Sequence, residues 1–293
     1  MAKIAFIGLG VMGGPMAGHL AQAGHELVVF NRSMGKSQAW VERYGGDAAT
    51  SPAQAAQEAE LVLSCVGTDD DLADVTIGRD GAFRTMKAGS LFIDHTTVSA
   101  KIARTLDHEA ESRGLHFVDA PVSGGQAGAE KGTLSVMCGG SEAAVEAARL
   151  VMQPYAARVV HCGPVGAGQI TKMVNQICIA GVLQGLSEAL RFAQGSNLDL
   201  QRVYEAISGG AAQSWQMDNR WATMADGKFD FGFAIDWMRK DLGLALEEGN
   251  SIGASLPLTA LVDQFYAEVQ ALGGARQDTS ALVRRVPMPW KGQ

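Results

Sequence analysis

The feature that most constrains this chain is a cluster of glycines directly behind a short apolar run. Residues 3–7 read Lys-Ile-Ala-Phe-Ile, and Gly8-Leu9-Gly10-Val11-Met12-Gly13 follows. A helix-like segment, 15–23, ends at Gly24, and a second β-rich run, 26–31, comes next. A strand, a tight glycine turn, a helix with a C-terminal glycine and another strand form a β-turn-α-β unit of about thirty residues. The crossover helix makes the two strands parallel, which commits this part of the chain to an α/β sheet.

The rhythm continues through the first half. Compact strand-like runs at 61–66 and 91–94 alternate with helical patterns at 36–44, 52–58 and 99–113. Alternation of this kind predicts a doubly wound, largely parallel sheet. Runs at 116–119, 134–137 and 159–162 extend it and leave antiparallel edges open. From Gly168 the pattern changes. Residues 170–194 read as one long helix with apolar residues on more than one side, a pattern of burial either between two domains or in a dimer core. Helical patterns at 198–208, 214–225, 234–251 and 258–272 follow. The expected fold class is α/β: a Rossmann-type doubly wound sheet over residues 1–163, then an all-α C-terminal domain over 164–293.

In a β-turn-α-β setting each glycine has its own reason. Gly8 permits the tight turn, Gly10 lets a pyrophosphate approach the backbone, and Gly13 lets helix and strand pack closely. The backbone N–H groups along Gly8-Leu9-Gly10-Val11-Met12-Gly13 and the positive helix end then bind the anion. The end of the second strand faces the adenosine ribose, where an acidic residue favours NAD. Here the chain carries Asn31-Arg32-Ser33, with Lys36 nearby. Asparagine does not repel a 2′-phosphate, and arginine binds one through charge-assisted hydrogen bonds. NADP is therefore the expected cofactor, with NAD the alternative if Arg32 only stacks on adenine.

Composition removes other classes. With 24 basic and 31 acidic side chains and a net charge of −7, no polyanion-binding surface is expected, so nucleic acid is not an expected partner. Cys65, Cys138, Cys162 and Cys178 are scattered without a C-x-x-C pair. They predict buried reduced thiols in a cytoplasmic protein. The six histidines form no H-x-x-x-H pattern, and no metal site is expected. The uncharged run 4–25 superficially looks like a signal peptide, but its glycines and Pro15 break an apolar helix. A second uncharged run, 173–187, is too short to span a bilayer. No membrane segment is expected.

Four blocks, taken in order, carry a resemblance. They are Gly8-Leu9-Gly10-Val11-Met12-Gly13-Gly14-Pro15-Met16-Ala17, Asp119-Ala120-Pro121-Val122-Ser123-Gly124-Gly125, Gly168-Gln169-Ile170-Thr171-Lys172-Met173-Val174-Asn175 and Lys240-Asp241-Leu242. Over nearly its whole length the chain resembles the β-hydroxyacid dehydrogenase family, also called the 3-hydroxyisobutyrate dehydrogenase family. The resemblance implies hydride transfer between a nicotinamide and a small β-hydroxyacid or its semialdehyde. Family substrates include 3-hydroxyisobutyrate, tartronate semialdehyde, succinic semialdehyde and glyoxylate. A homodimer or homotetramer and a small carboxylate-bearing substrate are implied as well.

Residue by residue, Lys172 matches the family's catalytic lysine, which gives a proton in reduction and removes it in oxidation. A free lysine near pKa 10.4 is poorly matched to neutral pH. Burial or a neighbouring cation is expected to lower it, with Lys240, which matches a position beside cofactor and substrate, as that cation. Asn175, three residues on and hence on the same helical face, matches the residue that orients the lysine and binds substrate. Ser123, Gly124 and Gly125 match the block that binds the substrate carboxylate. Thr97, closing a strand read over 94–97, matches a contact near the nicotinamide. Val66-Gly67 stands where the family often has Leu-Pro, so a backbone contact to cofactor is expected on an altered loop. Trp215 and Phe233 are the candidates for the far side of the substrate pocket, and His95 is read as structural.

Two other readings make different demands. Imine reductases share this architecture but usually carry Asp or Tyr where Lys172 stands. A catalytically idle NADP-binding interaction module predicts a damaged proton donor or carboxylate site, whereas Lys172, Asn175, Ser123 and Lys240 are all present.

Overall fold

The computed structural model describes residues 1–288. The chain divides into two compact units, Met1–Lys172 and Met173–Gln293. The first runs β1 (Lys3–Ile7), α1 (Gly13–Gln22), β2 (Glu26–Phe30), α2 (Met34–Tyr44), β3 (Asp47–Ala48), α3 (Pro52–Ala56), β4 (Leu61–Ser64), α4 (Asp69–Ile77), β5 (Leu91–Asp94), α5 (Ala100–Glu111), β6 (His116–Asp119), β7 (Val122–Ser123), α6 (Gly125–Lys131), β8 (Leu134–Gly139), α7 (Glu142–Met152) and β9 (Ala156–Gly163). Helix α8 (Ala167–Gly195) starts in this unit and continues into the second.

Neighbouring strands lie in the order β3-β2-β1-β4-β5-β6-β8-β7, with β9 beside β8. Every pairing from β3 to β6 is parallel. β8 is antiparallel to β6 and β7, and β9 runs parallel to β8. This is the expected Rossmann-type sheet, with its strand order reversing between β1 and β4, where ligands of such sheets bind. Parallel strands covered on both faces read as unbroken apolar runs, and Ile4, Ala5, Phe6 and Ile7 are all fully buried. Alternate side chains go to opposite faces: Ile4 and Phe6 pack with Met16 and Leu20, Ala5 and Ile7 with Val62 and Phe92. Hydroxyls of Ser51, Thr68, Ser99 and Ser141 each accept a backbone N–H at the start of α3, α4, α5 and α7.

The second unit is helical, as expected: α9 (Leu200–Ile207), α10 (Trp215–Ala225), α11 (Ile235–Ile252) and α12 (Pro257–Val269) join the rest of α8. Its core gathers Leu183, Leu190, Met217, Trp221, Met238, Leu242 and Tyr266. Arg239 clamps α11 to α12 through both carboxylate oxygens of Asp263, at 2.9 and 3.1 Å. Among the described residues no helix is long and apolar enough to cross a membrane.

Three expectations need correction. The strand read over 94–97 stops at Asp94, because Asp94 Oδ1 accepts the N–H and the hydroxyl of Thr96 and turns the chain off the sheet. Helix α8 is not buried all round: Val174, Val182 and Phe192 are 56%, 36% and 76% exposed, while polar Gln169, Lys172 and Gln176 are buried. Of the four cysteines, Cys138 alone is buried; Cys65 and Cys162 are half-buried and Cys178 is exposed, and no disulfide joins them.

Candidate active site

The glycine turn separates packing from vacancy. A Cβ on Gly8, whose φ is +98°, would lie 2.3 Å from the Cys65 carbonyl oxygen, and one on Gly13 would lie 2.0 Å from that of Gly8. The fold itself demands these two glycines. A Cβ on Gly10 would meet no heavy atom within 4 Å. Its absence opens a cradle along the backbone just before α1, at the positive end of the helix dipole; the Gly14 N–H closes the first turn on the Gly10 carbonyl at 3.0 Å. An oligophosphate fits a cradle of this kind. The turn is held from beneath: Leu9 N–H donates to Asn31 Oδ1 at 3.0 Å, and Gly8 N–H to the Phe30 carbonyl at 2.8 Å. Val66 borders the same turn, its Cγ1 3.2 Å from where a Gly8 Cβ would stand.

Beyond Asn31, Arg32 reaches into solvent and pairs with Asp71 at 3.4 Å. Exposed pairs of this type are worth about 0–1 kcal/mol, so the guanidinium can turn to another anion. Ser33 precedes α2, and Lys36 lies exposed in its first turn.

At the carboxyl ends of the parallel strands, Ser64, Asp94 and Asp119 are neighbours in register. Asp94 Oδ1 accepts the Ser64 hydroxyl at 2.7 Å and the Thr96 hydroxyl at 2.6 Å. Thr96 Oγ1 in turn accepts the Val66 N–H at 3.0 Å. One carboxyl thus ties the loop of Val66-Gly67 to the loop of Thr97. Burial pushes Asp94 up to about 7, against the lowering effect of these hydrogen bonds. Asp119, also raised by burial, accepts N–H groups from Gly166 and Gln169 at 2.7 and 2.9 Å. His95 Nδ1 meets the Ala120 carbonyl at 2.7 Å and Nε2 the Tyr155 hydroxyl at 2.9 Å. A carbonyl only accepts, so Nδ1 carries the proton and Nε2 accepts from Tyr155. Burial lowers this imidazole to about 4. Both nitrogens are engaged within the fold, which matches the structural role expected.

Lys172 is 7% exposed on α8, one turn before Asn175. In the second unit Asn175 Nδ2 donates to Gln176 Oε1 at 2.8 Å, and Gln176 Nε2 to Asp241 Oδ2 at 2.6 Å. Asp241 Oδ1 lies 3.2 Å from Lys240 Nζ, which also stands 5.7 Å from the Trp237 ring centre. A polar chain therefore joins Asn175 to Lys240. Ser123 pairs with Ser135 across β7 and β8, and Gly124 and Gly125, at φ +132° and +61°, open α6. His19 of α1 fastens α6 through the Ala129 and Glu130 carbonyls. Trp215 is half exposed, with the Arg220 guanidinium 5.0 Å from its ring centre. Phe233 packs on the helical core and donates its N–H to Asp278 at 3.0 Å. Among the described residues no group of three or more His, Cys, Asp or Glu could hold a metal ion.

Gln176 was not picked out from the sequence, Asp94 only as a strand end, and Asp119, Gln169 and Asp241 only as members of the family-like blocks, without roles of their own. A signal existed for Asp94 and Asp119: each apolar strand run ends on a polar residue, Ser64, Asp94 or Asp119. A dinucleotide-type sheet with a glycine cradle, then a long helix whose first turns carry a buried lysine, and a helical second unit define the class. Residues 3–163 match the NAD binding domain of 6-phosphogluconate dehydrogenase, and residues 166–286 match the NAD-binding domain of NADP-dependent 3-hydroxyisobutyrate dehydrogenase. An "uncharacterized oxidoreductase" of Shewanella frigidimarina is 57% identical, covering 98% of each chain. The 2-hydroxy-3-oxopropionate reductase of Escherichia coli is 33% identical over 98% of this chain and 97% of its own. The structure of Mycobacterium tuberculosis 3-hydroxyisobutyrate dehydrogenase with L-serine superposes with a TM-score of 0.88 at 33% identity, covering 98% of this chain and 99% of that one. The chain belongs to the 3-hydroxyisobutyrate, or β-hydroxyacid, dehydrogenase family of NAD(P)-dependent oxidoreductases.

Proposed function

We propose that the protein is an NADP-preferring dehydrogenase that interconverts a small β-hydroxyacid and its semialdehyde, with Lys172 as the proton donor in reduction and acceptor in oxidation. The observation that carries this reading is the placement of Lys172: buried on α8 and one turn from Asn175, itself joined through Gln176 and Asp241 to Lys240. The nicotinamide, when bound, supplies or takes the hydride; the protein supplies orientation, a proton and carboxylate recognition.

The cradle at Gly10, with the backbone of Leu9, Val11 and Met12, receives the pyrophosphate, while Arg32, Ser33 and Lys36 receive the 2′-phosphate. Val66-Gly67 and Thr97, coupled through Thr96 and Asp94, border the nicotinamide. Ser123, Gly124 and Gly125 bind the substrate carboxylate, Asn175 orients Lys172, and Lys240 lies beside both ligands. Trp215 and Phe233 shape the far side of the substrate pocket. In this reading residues 1–163 serve the cofactor, and residues 164–293 serve substrate binding and assembly. The protein is taken as cytoplasmic and as a homodimer or homotetramer; exposed Val174, Val182 and Phe192 on α8 support assembly.

The Escherichia coli relative favours a second substrate, because 2-hydroxy-3-oxopropionate is tartronate semialdehyde. Initial rates with NADPH and NADH decide between the two. The reductive substrates are methylmalonate, tartronate and succinic semialdehydes and glyoxylate; 3-hydroxyisobutyrate and L-serine serve in the oxidative direction. Turnover with one of them, faster with NADPH, is expected; no turnover with any would overturn the reading.

A further inference from the structure

Gln169 stands at the start of α8 and is fully buried. Its amide makes two bonds to one short stretch: Nε2 donates to the Thr96 carbonyl at 2.8 Å, and Oε1 accepts the Val98 N–H at 3.1 Å. A primary amide that serves the carbonyl before a residue and the N–H after it stands in for a rung of a β ladder. Thr97 is the residue so bracketed. The backbone of Gln169 is fixed as well. Its N–H donates to Asp119 Oδ2 at 2.9 Å, while Asp119 Oδ1 takes the Gly166 N–H at 2.7 Å. A carboxylate at a helix start is favourably placed against the helix dipole. The approach is close enough to need Gly168, where a Cβ would lie 2.4 Å from the Met137 carbonyl oxygen. Lys172 follows Gln169 by three residues and so shares its helical face.

We propose that Gln169 is a positioning residue: its amide locks the Thr97 loop to the helix turn that carries Lys172 and so sets the separation of the two. This inference rests on the roles proposed above for Thr97 and Lys172. A flexible link here would let the proton donor drift from the edge that Thr97 borders, and displacements of about 1 Å cost about a hundredfold in rate.

Gln169→Met keeps the length and apolar bulk of the side chain but removes donor and acceptor. Gln169→Glu keeps an acceptor for Val98 and loses the donor to Thr96. Hydrogen exchange of the cofactor-free protein, read by mass spectrometry over residues 95–99, is expected to quicken at Val98 by about tenfold or more in Gln169→Met and to stay slow in Gln169→Glu. NADPH affinity by fluorescence titration should stay within about threefold, because the glycine turn and Asn31 are untouched. In both variants kcat with the best substrate should fall by about tenfold or more with little change in KM. Unchanged exchange at Val98 in Gln169→Met would overturn the bracket. Unchanged kcat in either folded variant would overturn the positioning role, and Gln169→Glu alone decides it if Gln169→Met does not fold. Exchange is read without cofactor or substrate. A protein that turns over none of the substrates would therefore defeat the functional reading and the catalytic role together, while exchange still judges the bracket.

Discussion

Asn31 Oδ1 accepts the backbone N–H of Leu9 at 3.0 Å, so the residue that follows β2 shapes the glycine turn from below. Its Nδ2 is turned to the Ser33 carbonyl at 3.3 Å. Asn31→Asp keeps the acceptor for Leu9 and adds a negative charge where a 2′-phosphate is proposed to sit. NADPH affinity is expected to weaken by about tenfold or more, with NADH changed by less than about threefold. Cofactor titrations by fluorescence measure both. Equal losses for the two cofactors would reduce Asn31 to a purely structural support.

The glycines of the turn should respond differently to alanine. Gly13→Ala forces a methyl group against the Gly8 carbonyl and should destabilise the protein by about 1–3 kcal/mol. Gly10→Ala meets open space and should melt within a few degrees of wild type, yet bind NADPH about tenfold more weakly or worse. Thermal melting and titration check the pair; wild-type affinity in Gly10→Ala would remove the pyrophosphate from this cradle.

Adjacent residues on and after β5 give opposing pH dependence. Burial raises Asp94 from its ordinary 3.8 to about 7, so its contribution to stability is complete below about 3.8 and is lost as pH rises through 7. Burial lowers His95 from 6.5 to about 4, so its contribution is complete above 6.5 and is lost as pH falls through 4. Between about pH 4 and 6.5 the two offset one another. Asp94→Asn removes the first, and its melting temperature relative to wild type should climb steadily from pH 4 to 7. A constant difference would mean that Asp94 titrates at its ordinary value.

In the helical unit, Asp278 receives Arg220 Nε at 3.0 Å, together with N–H groups from Phe233 and Ser280. Asp278→Ala leaves a largely buried guanidinium without its partner and should cost about 3–5 kcal/mol by chemical denaturation. Asp278→Asn, which retains an acceptor, should cost less. A neutral Asp278→Ala would show that the cation–π contacts of Arg220 with Trp215 and Phe231 carry it alone.

What was legible in the sequence followed from local periodicity. β1, β5 and β6 stand where unbroken apolar runs place them, since full burial on both faces leaves no other pattern. The Gly8–Gly13 turn was readable because its chemistry is local. α4 was not anticipated: its opening run of three aspartates looks like a loop, although acidic residues suit a helix start. α6 escaped because glycine and alanine give no periodic signal. The contacts that hold the candidate site together lie farther out of reach. Gln169 meets Thr96 across 73 residues and Asp119 meets Gly166 across 47. Such pairings depend on which strand ends the topology brings side by side, and no window of sequence contains both partners.

Lys172 is proposed to move the proton. Turnover of wild type and Lys172→Ala with NADPH and the best semialdehyde, together with NADPH affinity by titration and rescue by added methylamine, tests it most directly. The expected result is a loss in kcat of about a hundredfold to ten-thousandfold, NADPH affinity within about threefold of wild type, and partial return of activity with the amine. Full turnover in Lys172→Ala would contradict it.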